Sequence, residues 1–519
     1  MNLQAEHESL WGYLNSTLAP DQIARPLLLN FNHWHKAQGA LTEIALTLAK
    51  HDSDVTIAFW ADKTPMLDVS WETSRLLGTL LLSLTKEQQI EKALRKTGFP
   101  KIAFAKPPIS SWQPVEPFTI PQVLNRTSIR KMTYRGADMG RSILQVHPDT
   151  NTPMTDDFLW PRGWVEVAAR SFAFAYDQTF ELIERRAISV LAVYNGRFLH
   201  DRAAATAAQS LGIPVLNYDL GGLQTGFDLT IDDTHDWDAL QRRMLSLYDR
   251  WNPEERDELG SSWFLNRTHH LDPLNRLFVE AQTIGSMVDL PASKKIVVYF
   301  SSSGDEMIEL DLNWDDYFQG QENALELIAK ICAEDPDIYL IVRSHPHKRH
   351  KPEHDVQEWI KAVEKASPDL HLDPHSDVDS YALMREADLV ITYGSTSGIE
   401  AAFAHKPVIV MGPSAYNILG AATQVSNEGE LRSAIAEPTL GSWPAAVSWG
   451  LLMKRRGFNF QEIDQVSETD FLFSDQRVTS TKPLVAKLSH AHKEAKFARY
   501  RRTRWTMAQP VAKGLRTLV

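Results

Sequence analysis

Ser395-Thr396-Ser397, framed by Gly394 and Gly398, lies where an apolar run gives way to a helix-forming one. A turn of this kind collects unbonded backbone N–H groups and the positive end of a helix dipole. With small hydroxylated side chains around it, it suits a phosphate. Ser and Thr are also ordinary helix N-caps, so the turn alone reads equally well as a cap. Arg343-Ser344-His345-Pro346-His347 follows another apolar run and supplies a guanidinium and an imidazole, a pair that complements a phosphate. Glu400, one turn into the helix after Ser397, is placed to accept from ribose hydroxyls. The chemistry these residues suggest is capture of the phosphate or diphosphate of a nucleotide-activated donor.

Candidate bases are spread along the chain. A transfer to a hydroxyl needs a carboxylate or imidazole within hydrogen-bond reach of the acceptor. Asp219 ends an apolar run, Asp305 and Glu306 end another, and His33 and His35 follow the first. These compete for the role. Asn195 and Arg197 sit at a further strand end and are expected on the acceptor side, or else in a structural turn.

The elements that must position these groups are short apolar runs alternating with amphipathic ones, which implies parallel sheets. Pro26–Phe31, Val55–Trp60, Ile188–Tyr194 and Ile213–Tyr218 read as strands of a first series. Lys295–Phe300, Ile338–Arg343, Leu389–Thr392 and Val408–Met411 read as a second. In such sheets, ligands sit at the carboxyl ends of the strands. The loops 301–306, 343–347, 373–380 and 393–398 would therefore share one rim, with Ser302, Pro346 and Gly394 among the donor-binding positions. The expected fold is α/β, with two Rossmann-like doubly wound domains facing a cleft and C-terminal helices. The expected bounds are 1–290 for an acceptor-side domain, 291–425 for a donor-binding domain and 426–519 for a helical region with a basic tail.

The chain of 519 residues is too long for one ordinary core. Its single cysteine, Cys332, excludes an intrachain disulfide and fits a reducing compartment. The N-terminus has neither the basic nor the apolar region of a signal peptide, and no apolar run is long enough to span a bilayer. The formal net charge is -12, yet from Lys482 onward ten Lys and Arg face Glu494 alone. A tail of that kind favours an anionic membrane surface or another polyanion. A solvated basic face is the alternative. Nucleic acid is not expected as a partner, because the body is acidic and no recognition module is visible. The histidine-rich loop 345–354 matches no closed metal site, and no metal is expected.

Tyr134–Gly140 (YRGADMG), Tyr194–Gly222, Val297–Met307, Arg343–Pro346 and Tyr381–Gly412 occur in an order and spacing that resembles bacterial capsule and surface-polysaccharide biosynthesis proteins of the GT-B glycosyltransferase type. The resemblance covers about two-thirds of the chain and is weakest over 1–125 and after 425. A His-Pro dipeptide followed by a Ser/Thr turn is also similar to the donor halves of bacterial sialyl- and polysialyltransferases and of CDP-glycerol-type polymerases. The resemblance implies that His345 contacts the donor phosphate and that Ser395, Thr396 and Ser397 bind it. It implies no catalytic metal and no cofactor beyond a nucleotide-sugar co-substrate, with a glycan or lipid-linked glycan as acceptor. Leu220 stands where these relatives tend to have arginine, which removes that contact here. The expected activity is transfer of a sugar from a nucleotide-activated donor to a capsular or other surface glycan. The expected location is the cytoplasm, with the tail 482–519 reaching the inner face of the membrane. Three rivals remain at this stage: a CDP-polyol phosphotransferase, an isomerase like UDP-sugar 2-epimerases, and a non-catalytic partner of a polysaccharide assembly complex.

Overall fold

The computed structural model describes residues 9–31, 35–60, 64, 78–96, 98, 101–109, 113–146, 158–219, 226–231, 236–272, 275–303, 309–310, 314, 316–351, 353–465, 470–473 and 476–479. In chain order the strands are β1 Pro26–Asn30, β2 Val55–Phe59, β3 Ile102–Phe104, β4 Thr133–Tyr134, β5 Ala137–Asp138, β6 Val190–Tyr194, β7 Val215–Asp219 and β8 Gly226–Thr230. There follow β9 Lys295–Phe300, β10 Ile338–Arg343, β11 Leu370–Leu372, β12 Leu389–Thr392, β13 Val408–Val410, β14 Thr423–Gln424, β15 Phe458–Asn459, β16 Ile463–Gln465, β17 Asp470–Phe473 and β18 Gln476–Thr479.

The order β15-β8-β7-β6-β1-β2-β3 forms the first sheet and β11-β10-β9-β12-β13-β14 the second. The second sheet is parallel throughout. The first is parallel from β3 to β7 and antiparallel at β8 and β15. Strands such as β1, β6, β12 and β13 are wholly buried, as expected when helices cover both faces of a sheet. In the first sheet the chain runs outward from β1 to β3 on one side and from β6 to β8 on the other, so the direction reverses between β1 and β6. The second sheet reverses between β9 and β12. These reversals are the topological switch points at which open α/β sheets bind ligands.

Two corrections to the expected domain bounds follow from packing. Helices Trp237–Arg250 and Pro253–Thr268 lie before residue 290, yet Met244, Leu247, Tyr248 and Phe264 share a core with Val298, Val390 and Val410 of the second sheet. Gly260 and Gly450 explain the tight crossing with helix Trp443–Arg455: a Cβ on Gly450 would lie 2.2 Å from the Gly260 carbonyl oxygen. The region after 455 is not helical where it is described. β15 adds to the first sheet beside β8, and β16, β17 and β18 form a small antiparallel sheet. The Glu43 carboxylate, in helix His35–Lys50, accepts from the backbone N–H groups of Gln461 and Glu462 and so fastens this return. Burial holds that carboxyl above its usual range. The basic tail 482–519 lies outside the described residues.

The segment YRGADMG forms a hairpin inside the first unit. Arg135 and Gly136, both at positive φ, turn the β4–β5 hairpin. The Tyr134 hydroxyl and the Arg135 guanidinium meet the buried Asp177 carboxylate at 2.6 and 3.2 Å. Nearby, Arg126 and Arg130 of the short helix Arg126–Arg130 reach Glu309, which follows β9 in the second unit, at 2.7 and 3.1 Å. This clasp joins the two units.

Candidate active site

The second-sheet switch point brings three of the sequence-predicted loops together. Ser301 and Ser302 follow β9, His345 and Pro346 follow β10, and Gly394 to Ser397 follow β12. The Ser301 hydroxyl accepts from the His345 backbone N–H at 2.8 Å, which pins the second loop to the first. The Ser302 N–H donates to Gln321 Oε1 at 2.6 Å. Gln321 has no motif around it in the sequence.

His345 is part-exposed, and its Nδ1 accepts from the His347 backbone N–H at 3.2 Å. With Nδ1 as acceptor, neutral imidazole carries its proton on Nε2 and presents a donor. Phe278 meets the ring edge-on at 5.4 Å. Pro346 is buried at the start of the 3-10 helix Pro346–His350 and serves geometry.

At the 394–398 turn, Ser395 is buried: its hydroxyl donates to Ser397 Oγ and its carbonyl accepts from the Tyr416 hydroxyl. Thr396 is exposed at the head of the helix Ser397–Phe403, and no side-chain bond caps that helix. Gly394 serves packing rather than ligand approach: at φ 80° its added Cβ would lie 2.1 Å from the Pro413 carbonyl oxygen.

Two of the expected donor-binding side chains are engaged within the fold. Arg343 is 1% exposed and donates to the carbonyls of Asp373 and Ser376 at 2.7 and 3.3 Å. Burial pushes its guanidinium down to about 10. It also donates from Nε to the Ser380 hydroxyl at 3.4 Å, so it ties the loop after β11 to β10 from a buried position. Glu400 accepts from Arg267 Nε at 2.5 Å and from the Tyr381 hydroxyl at 3.2 Å, so it anchors helix Pro253–Thr268 instead of binding ribose.

Beside this rim, Trp359 Nε1 donates to Ser344 Oγ at 2.7 Å, and Ser344 Oγ lies 2.8 Å from His371 Nε2. Burial holds the half-buried imidazole below its ordinary value. The folded state therefore favours the neutral ring. That contribution to stability is present above the unfolded value of about 6.5 and is lost as pH falls through the folded value. We expect the urea midpoint to drop between about pH 7 and about pH 5, and the drop to shrink in His371→Gln, which titrates no imidazole there.

On the first sheet, Asn195 and Arg197 follow β6 and Asp219 ends β7. The Asn195 amide donates to Asp219 Oδ2 at 2.5 Å. One N–H of the amide is thus engaged with Asp219. The Arg197 guanidinium lies 4.9 Å from the centre of the Phe198 ring. His33, the side chain of His35 and Glu306 lie outside the described residues. Among the described residues, no group of three or more His, Cys, Asp or Glu is arranged to hold a metal ion, and no helix is long and apolar enough to cross a membrane.

The chain thus holds two Rossmann-like units, each with polar groups at a switch point. Residues 279–439 match the family of capsule polysaccharide biosynthesis proteins, so the resemblance read from the motifs holds over the unit that carries the 301–302, 345–346 and 394–397 loops. A search of curated protein sequences gives no match. Among solved structures, the chain is similar to the beta Kdo 2,4 transferase KpsC of Thermosulfurimonas dismutans at 16% identity and TM-score 0.35, covering 50% of this chain and 78% of that one. It is similar to the beta Kdo 2,7 transferase KpsC of the same organism at 15% identity and TM-score 0.34, covering 61% and 90%. The UDP-GlcNAc 2-epimerase of Neisseria meningitidis aligns at 11% identity and TM-score 0.25, covering 83% and 94%.

Proposed function

We propose that this protein transfers a sugar from a nucleotide-activated donor to a capsular or other surface-glycan acceptor. The observation that carries the reading is the convergence of the 301–302, 345–346 and 395–397 loops at the switch point of a parallel sheet, within the span that matches the capsule family. The acceptor hydroxyl oxygen bonds to the anomeric carbon while the bond from that carbon to the donor phosphate oxygen breaks. The nucleotide leaves with the bonding electrons. His345 Nε2–H and the 395–397 turn stabilise its growing negative charge, which is the electrostatic term that dominates many transfers. Asp219 takes the proton of the attacking hydroxyl. The basic tail 482–519 brings the chain to an anionic leaflet, where a lipid-linked acceptor would be presented.

Calorimetric titration with CMP, CDP, UDP, GDP and ADP tests the donor site. One nucleotide should bind selectively, and His345→Ala and Ser397→Ala should each weaken it about tenfold, the worth of one charge-assisted hydrogen bond. Binding by none of the five would overturn the reading. Binding untouched by either substitution would move the phosphate to another loop.

A further inference from the structure

The turn after β6 has an unusual backbone. Asn195 sits at φ 56° and Gly196 at φ 74°, two left-handed residues in succession. Such a conformation at a non-glycine residue costs on the order of 1 kcal/mol and persists where surrounding structure enforces it. The enforcement is visible. The Asn195 N–H donates to the Tyr218 carbonyl at 2.8 Å, and a Cβ on Gly196 would lie 2.5 Å from Asn217 Oδ1. The result is that the Asn195 amide is delivered onto Asp219 Oδ2. From the adjacent residue, the buried Tyr194 hydroxyl donates to the same carboxylate. Two neutral donors from one turn therefore converge on one part-exposed acid at the end of the neighbouring strand, beside the β1–β6 switch point.

We propose that Tyr194 and Asn195 are positioning residues that hold the Asp219 carboxylate in a fixed orientation for proton transfer. This rests on Asp219 as the base of the proposed reaction. The charges that act on Tyr194 beside it are Arg197 on the same turn and Asp201 in helix Leu199–Ser210, and Asp228 pairs with Asp219 in strand register. Asp228 faces Arg243 at 3.5 Å and Arg456 at 4.0 Å.

The test is infrared difference titration of the Asp219 carboxylate in the full chain, taken against Asp219→Asn. Tyr194→Phe should raise the protonation midpoint by about one pH unit, because a donor to the ionised form is lost. Asn195→Gly should do the same. Glycine adopts the left-handed turn freely, so this variant removes the amide without disturbing the backbone. An unchanged midpoint in both variants would overturn the proposal. Activity separates the two claims. If Asp219→Asn still releases nucleotide from the donor at the wild-type rate while both midpoints shift, the base assignment fails and the positioning of the carboxylate stands. If Asp219→Asn is inactive and neither midpoint moves, the base stands and the positioning fails.

Discussion

Arg267→Ala is expected to lower the unfolding free energy by about 3–5 kcal/mol, the usual result of stranding one half of a buried ion pair. The Arg267 and Glu400 side chains are 11% and 8% exposed. Without the guanidinium, Glu400 keeps only the Tyr381 hydroxyl inside a wall that includes Ile399, Ala401 and Phe264. The arginine also bonds Asp272 at 3.1 Å and packs over the Trp263 ring at 4.6 Å, so alanine loses packing as well. The pair itself is a different quantity from its half. Replacing both members by neutral residues of similar volume removes the stranded charge, and such exchanges are often close to neutral. Arg267→Met with Glu400→Gln should therefore recover most of the loss. Urea unfolding of the two variants decides the matter. A single substitution costing under about 1 kcal/mol would mean that water reaches Glu400 and that the site is not dry.

The second large effect concerns the clasp between the units. Arg126→Ala with Arg130→Ala should open the molecule rather than unfold it. Glu309 is 1% exposed in its side chain, whereas Arg126 and Arg130 are 17% and 31% exposed. A carboxylate left naked in that position costs about 3–5 kcal/mol. Parting the two units hydrates it without breaking either core. Small-angle scattering should show a larger radius of gyration for the double variant, with the unfolding cooperativity of each unit retained. Glu309→Ala should do much less, since the two arginines already touch water and can rehydrate where they stand. Equal expansion in both experiments would mean that shape, not charge, holds the clasp.

What could be read from the residues was local. The strand–turn–helix–strand run over 388–412 is legible because each piece is short, apolar and punctuated by glycine or proline, and the structure follows it closely. The rim loops were legible because strand ends in a doubly wound sheet have one address. The roles of Arg343 and Glu400 were not. Both look like ligand groups in sequence, and both find partners the local pattern does not announce: carbonyls of Asp373 and Ser376 for one, and Arg267, 133 positions away, for the other. The helices 237–268 carry the right period but no label for the sheet they cover. β15 to β18 have two to four residues each, too few for a period to register, and they become strands only through their neighbours.

The return of the chain to the first sheet has a mechanical meaning. The polypeptide leaves the first unit after β8 and comes back at β15, which is hydrogen-bonded to β8 itself. Gly457, at φ 93°, lets the returning chain lie against the Phe227 carbonyl, which a Cβ would approach to 2.5 Å. Both covalent crossings therefore pass through nearly one place. Two bodies joined by a single tether can swivel in any direction. Two bodies joined by a pair of adjacent tethers resist twisting and keep one soft rotation, like a door on paired pins. The paired crossings at β8 and the Arg126–Arg130–Glu309 contact are thus two separate fastenings between the units.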